Sequence, residues 1–210
     1  MALALRGPIM KEPIIEYFYS MQFIYLTIWN LAFQAFYIAM GLVCDLPILL
    51  KMDNNKLFDW CRSYRKIFYT GVLWPCGMLI FVIFWPIYFY DRNLIFPDYI
   101  DKVLSQASNY VMHMFIAFPI IWDLLFLPNP RPKSPKYAIA HIVVVWVAYL
   151  TVLLEHYNQR RKWPYPILKL VFGTFYFPLL IIVATVLGII LFYAQWPLIS
   201  AVWRKKSKTT

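Results

Sequence analysis

Apolar and polar residues follow one another along this chain in long blocks, not with a short period. Uncharged stretches of about twenty residues or more are separated by short segments that gather the charges and many of the prolines. Roughly 20 apolar residues in helical form cross a hydrocarbon core. The blocks therefore predict an all-α, polytopic transmembrane helix bundle in a single transmembrane domain over residues 1–210. About five membrane-spanning helices are expected, near residues 17–43, 67–90, 107–127, 137–156 and 170–196. The first is expected to stop at Cys44-Asp45-Leu46-Pro47, before a basic loop with Lys51, Lys56, Arg62, Arg65 and Lys66. Four prolines in PNPRPKSPK break the chain after the third. The last uncharged run continues to Trp203, too short for two crossings and a turn, so it reads as one long or tilted helix bent or ended at Pro197.

Composition agrees with this picture. The chain is 62% apolar, 20% aromatic and 14% charged, against about 45–50% apolar and 25% charged in soluble domains. The net charge of +10 does not mark a nucleic-acid binder. Its lysines and arginines lie in short inter-helix loops, where the positive-inside rule and anionic headgroups account for them. Cys44, Cys61 and Cys76 form no CxxC pair, and their odd number argues against a disulfide framework. The first sixteen residues, broken by Arg6, Pro8, Lys11 and Glu12, do not read as a cleavable signal peptide.

Charge also orients the bundle. The face holding the N-terminus and the second and fourth loops carries eight of the twenty Lys and Arg residues; the opposite face carries twelve. The second face is expected to be cytosolic, with the C-terminus on it. The ending Lys206-Ser207-Lys208-Thr209-Thr210 resembles a dilysine retrieval signal of the endoplasmic reticulum, read on the same face. The expected location is a multi-pass protein of the endoplasmic reticulum or cell membrane.

Polar residues within membrane helices are costly and are candidates for function. Thr27 and His113 fall at similar depth in the leaflet away from the cytosol. A hydroxyl needs a nearby base to act as a nucleophile, and histidine is the commonest. Asn30 and Asn109 share helical faces with them and are candidate oxyanion donors. His156 sits at the same end as a further supporting candidate. Each also has a structural reading: threonine bonding its own i−4 carbonyl, histidine and asparagine bridging helices. Asp123 lies ten residues from His113, about 15 Å along a helix, and reads as a structural partner, either paired with a cation on the side expected to be cytosolic or protonated. His141 and His156, about 22 Å apart on one helix, cannot share a metal. No metal or cofactor motif is present.

Three segments carry a family resemblance. FWPIYFYDRNLIFP spans residues 84–97; NYVMH and then FP span residues 109–119; WPYP spans residues 163–166. Upstream lies LTIWNLAFQAFY, residues 26–37, followed by CDL. In this order they resemble the family of androgen-induced-gene and androgen-dependent TFPI-regulating membrane proteins. The resemblance runs from about Phe23 to the end of the last helix. It implies hydrolysis of fatty acid esters of hydroxy fatty acids without a cofactor, with Thr27 in the LT motif as nucleophile and His113 in the N-x-x-M-H motif as base. The implied partners are the lipid bilayer and a branched ester substrate. Members usually have another helix before the threonine helix. Here only about twenty residues precede it, and they read as too polar to span. The rival reading is a non-enzymatic lipid-binding or signalling scaffold. A small transporter is disfavoured by the absence of an internal repeat.

Overall fold

The computed structural model describes residues 13–51, 56–127 and 129–206. Arg6, Lys11 and the retrieval-like tail after Lys206 lie outside the described residues. Within them every regular element is helical. Five helices are long and apolar enough to cross a membrane: Leu26–Leu49, Lys56–Leu94, Gln106–Phe126, Lys136–Arg160 and Tyr176–Trp203. They lie where the hydropathy pattern put them, but their boundaries differ, each for a local reason.

The first predicted helix, 17–43, is two. Helix α1 (Pro13–Ser20) ends in a 3-10 turn, and α2 (Leu26–Leu49) starts after an extended Tyr25. Helix α2 runs through the expected stop at Asp45 and Pro47. Pro47 lacks the N–H that would bond the Val43 carbonyl, and α2 ends two residues after it; the Asp45 carboxylate meets Arg65 3.3 Å away.

The second predicted helix, 67–90, begins earlier. The basic segment expected as a loop forms helix α3 (Lys56–Phe68), which continues through a π-turn (Tyr69–Leu73) into α4 (Trp74–Asp91). Its polarity suits a helix that extends past the hydrocarbon into the headgroup layer. Pro75 explains the π-turn: its ring clashes with the carbonyl four residues back and it offers no N–H, so the preceding turn widens. Gly71 in this turn meets α7 at very close range. A Cβ there would stand 2.5 Å from the Ala138 carbonyl oxygen.

The third, 107–127, breaks into α5 (Gln106–His113) and α6 (Ala117–Phe126). Pro119 cannot bond the Phe115 carbonyl, and the chain kinks before it. Backbone oxygens beside the break also accept from side chains: Trp85 Nε1 donates to His113 O at 3.1 Å and Gln34 Nε2 to Ile116 O at 2.8 Å. Helix α7 (Lys136–Arg160) outruns its expected end at Glu155-His156 by a turn, closing on a left-handed Arg161 with φ 55°. The last predicted helix, starting near 170, is divided. Helix α8 (Pro166–Val171) is separated from α9 (Tyr176–Lys206) by Gly173 at φ +79°, and Pro197 lies inside α9 without ending it.

Helix α4 forms the centre of the bundle, packed against α9, α6 and α2. Two interiors follow. At the end that holds Asp45 and Arg65, Tyr37, Phe68, Tyr69, Trp74, Ile120 and Leu124 form one core. Buried beside it, Asp123 accepts from the Tyr37 hydroxyl and lies 3.7 Å from the Arg65 guanidinium, which also covers the Tyr37 ring. Asp123 thus pairs with a cation on the expected side. At the other end α1, two 3-10 turns (Arg92–Leu94 and Asp98–Lys102) and α8 close over the bundle. Arg92 ties this cap together, with a nitrogen 2.8 Å from Asp101 and its Nε donating to Phe96 O. Cys44, Cys61 and Cys76 are all free thiols.

Candidate functional site

Under the cap, between α2, α4, α7 and α9, lies a cavity of about 440 Å³, within the range of small-molecule sites. Its walls are almost wholly aliphatic and aromatic. The polar groups at its edge come from Thr27, His113, Tyr25, Tyr149 and Tyr165.

Thr27 stands in the first turn of α2 and His113 is the last residue of α5. The structure brings the two together: Thr27 Oγ1 lies 3.2 Å from His113 Nε2, with both residues buried. The threonine does not take the common route of bonding its own i−4 carbonyl. That oxygen, on Phe23, accepts from Trp29 Nε1 at 2.8 Å. The imidazole's other nitrogen, Nδ1, faces the Asn109 carbonyl oxygen at 3.1 Å. A carbonyl can only accept, so Nδ1 carries the proton and Nε2 is the acceptor for the threonine O–H. The pair therefore has the arrangement of a hydroxyl, a neutral base and an orienting acceptor.

The histidine is held on three sides. Phe84 stacks flat on its ring, with centroids 3.6 Å apart and planes 10° from parallel. Trp85 holds its backbone through the bond to His113 O. The α5–α6 break lies just beyond it. Phe84 and Trp85 are the opening residues of the FWPIYFYDRNLIFP segment. Sequence reasoning used that segment only as a family marker and missed its role at the site; the pairing needs α4 to present that face to α5, which periodicity does not reveal.

The supporting residues fare differently. Asn30 and Asn109 are buried at 0% and 1% exposure but do not line the cavity. Both side-chain atoms of Asn30 and the Asn109 Oδ1 lack hydrogen-bond partners. Their shared helical faces put them in the bundle interior, and Asn109 meets His113 through its backbone oxygen. His156 also stands apart from the pair. It is absent from the cavity wall, and its Nε2 is buried without a partner, because α7 continues past it toward Arg160.

A second polar chain reaches the site from the WPYP loop. Tyr149 Oη donates to Tyr165 Oη at 3.3 Å, and the Leu26 backbone N–H donates to the same oxygen at 3.2 Å. Burial raises the pKa of Tyr165, so it is a phenol and not a phenolate. The loop is pinned by Tyr25 Oη donating to Pro164 O at 3.3 Å and by Trp163 stacking on Tyr157 at 4.3 Å. Tyrosines in this position had no signal in the helical pattern; only the WPYP motif marked the segment.

Two wall residues connect the cavity with the outside. Leu154 of α7 and Val183 of α9 line it yet are 47% and 55% exposed. The cavity wall thus reaches the outer surface of two helices long and apolar enough to cross a membrane.

Comparison with known proteins agrees with the resemblance. The family model for FAR-17a/AIG1-like protein matches residues 9–197. The androgen-dependent TFPI-regulating protein of Mesocricetus auratus is 30% identical over 143 residues, which is 68% of this chain and 61% of that protein. The protein of the same name in Rattus norvegicus is 29% identical over 178 residues, 84% of this chain and 70% of its own length. The human androgen-induced gene 1 protein is 24% identical over 150 residues, 69% and 63% of the two chains. The chain thus matches only about three fifths of the length of the hamster relative. No solved structure gives a significant match. With the family model covering most of its length and five apolar helices in its fold, the chain belongs to the FAR-17a/AIG1-like family of multi-pass membrane proteins.

Proposed function

We propose that this chain is a lipid ester hydrolase embedded in the bilayer, in which Thr27 is the nucleophile and His113 the general base. The observation that carries this reading is the 3.2 Å contact between Thr27 Oγ1 and His113 Nε2 at the edge of a large apolar cavity. The proposed substrates are fatty acid esters of hydroxy fatty acids, the class implied by the family resemblance. Their two hydrocarbon branches suit a wall with almost no polar surface, and exposed Leu154 and Val183 in that wall suit entry from the membrane.

In the proposed reaction the Thr27 oxygen adds to the ester carbonyl carbon while its proton passes to His113 Nε2. Collapse of the tetrahedral adduct breaks the bond to the alkoxide, which takes the proton back from His113. The hydroxy fatty acid leaves and the acyl group stays on Thr27. Water, deprotonated by His113, then releases the fatty acid. No metal or cofactor takes part. The Asn109 carbonyl keeps Nδ1 protonated, and the Phe84 stack keeps the ring plane in line with Thr27.

A fluorophosphonate probe tests the reading together with hydrolysis of a branched fatty acid ester by purified protein. Wild type should be labelled at Thr27 and should hydrolyse the ester. Thr27→Ala and His113→Ala should lose both while inserting normally into membranes. Wild-type hydrolysis by Thr27→Ala would sink the mechanism. A scaffold that only binds lipid would give no labelling at any stage. The compartment belongs to the same proposal: an endoplasmic-reticulum or cell membrane, with the C-terminus cytosolic. Protease protection of a C-terminal epitope tag in sealed microsomes contradicts that orientation.

A further inference from the structure

We propose that the Tyr165 hydroxyl donates the hydrogen bond that stabilises the oxyanion formed when Thr27 adds to an ester carbonyl. This inference rests on the hydrolytic reading above and names a part that reading lacks, since neither candidate amide reaches the cavity.

A tyrosine oxygen has two lone pairs and one proton. At Tyr165 both lone pairs are engaged, by the Leu26 N–H at 3.2 Å and by the Tyr149 O–H at 3.3 Å. Its own proton has no acceptor among the described residues, although Tyr165 lines the cavity. A buried donor left without an acceptor is costly and is suited to an acceptor that arises only during turnover. Its placement fits that use. The Leu26 N–H belongs to the residue immediately before Thr27, about 3.8 Å away at the Cα, so the phenol is anchored to the backbone that carries the nucleophile. The donation from Tyr149 also polarises the Tyr165 O–H, because chained hydrogen bonds strengthen one another.

The loop around Tyr165 is fixed in advance of any substrate. Pro164 O accepts from Tyr25, the Tyr25 and Tyr165 rings meet edge to face at 5.4 Å, and Trp163 is stacked on Tyr157. A donor held in place without reorganisation is what oxyanion stabilisation requires. The step balances without Tyr165 giving up its proton. As the Thr27 oxygen–carbon bond forms, the carbonyl π pair moves onto oxygen and the Thr27 proton moves to His113. On collapse the pair returns, the alkoxide bond breaks, and the proton leaves His113. Tyr165 only donates a hydrogen bond. Tyr149 is a positioning residue: it touches Tyr165, not the oxyanion.

The test compares purified wild type, Tyr165→Phe and Tyr149→Phe on an ester of palmitic acid with hydroxystearic acid in mixed micelles. Loss of one oxyanion donor lowers kcat by about 10²–10³-fold in a known case, so Tyr165→Phe should lose about a hundredfold in kcat with KM little changed. Tyr149→Phe should lose less. A trifluoromethyl ketone carrying a palmitoyl-length chain, which forms an oxyanion on the nucleophile, should bind Tyr165→Phe more weakly by a similar factor. Binding of the fatty acid product should hold. Product binding lost in parallel with ketone binding would mean a merely structural tyrosine and would overturn the proposal. Unchanged kcat in Tyr165→Phe, with active wild type, overturns it while leaving the Thr27 reading intact. Wild type that neither hydrolyses the ester nor takes the fluorophosphonate removes both.

Discussion

Gly71→Ala is a perturbation whose cost can be worked out from the contact between the π-turn and α7. The added Cβ would stand 2.5 Å from the Ala138 carbonyl oxygen and 2.8 Å from its Cα. Carbon and oxygen meet comfortably at about 3.3–3.6 Å, so the helices must part by about 1 Å. A gap of about 0.5–1 Å forfeits a quarter to a half of the dispersion energy of the atoms it separates, and overpacking of this kind costs about 1–3 kcal/mol. Alanine offsets about 0.5–1 kcal/mol through backbone entropy. The net loss should be about 1–2 kcal/mol, a fall in Tm of about 2–8 °C for a chain of this size. Gly188→Ala is the control. It lies in α9 with nothing within 4 Å of its added Cβ, so it should leave Tm unchanged or slightly raised. Thermal unfolding of the two variants in one detergent decides the matter. Equal Tm values would refute the claim that the close approach at Gly71 holds the bundle together. Because the π-turn also sets how α4 presents Phe84 to His113, Gly71→Ala should slow labelling of Thr27, whereas Gly188→Ala should not.

Two more outcomes follow from the buried contacts. Arg65→Met leaves Asp123, 11% exposed, without its cation and should cost about 3–5 kcal/mol, whereas Asp45→Asn, at a carboxylate 61% exposed, should cost about 0–1 kcal/mol; thermal unfolding that ranks them the other way contradicts the assignment of Arg65 to Asp123. Trp85→Phe keeps the ring but strands the buried His113 carbonyl, so it should destabilise by about 1–3 kcal/mol, measured by thermal unfolding, and should lower the rate of Thr27 labelling through a displaced imidazole.

The number of crossings was legible because a bilayer imposes one length on every block. The boundaries were not, because prolines and charges have meanings there that depend on neighbours. Asp45 and Pro47 read as a stop, yet Arg65 from the next helix lets α2 run on. Lys56, Arg62 and Lys66 read as a loop, yet they form the polar start of a helix that outlasts the hydrocarbon. Depth alone brought Thr27 and His113 together, since each position was counted from the same face. Asn30 and Asn109 show the limit of that reasoning: a shared helical face says which way a side chain points but not whether a cavity or another helix waits there. Tyr165 was out of reach for a different reason. Its place depends on the contacts Leu26–Tyr165 and Tyr25–Pro164, each 139 residues apart along the chain, and on Tyr149, sixteen residues away; none of these leaves a period.

The Asn109 carbonyl occupies the place where many triads hold a carboxylate, and this has a consequence for a reaction carried out inside a membrane. A backbone oxygen orients the imidazole without bringing a fixed charge into hydrocarbon, where a lone ion is costly. Every polar group at the cavity edge is then uncharged at rest. Turnover would create charge only as a matched pair, an imidazolium and an oxyanion side by side, which vanishes as each half of the reaction ends. The free acid is another matter. Once ionised it becomes the one lasting charge in the cavity, and an almost wholly apolar wall offers it no counterion. On the proposed hydrolysis, chemistry and ejection would be linked: the ester would be drawn in because it is neutral, and its product would be driven toward water because it is not.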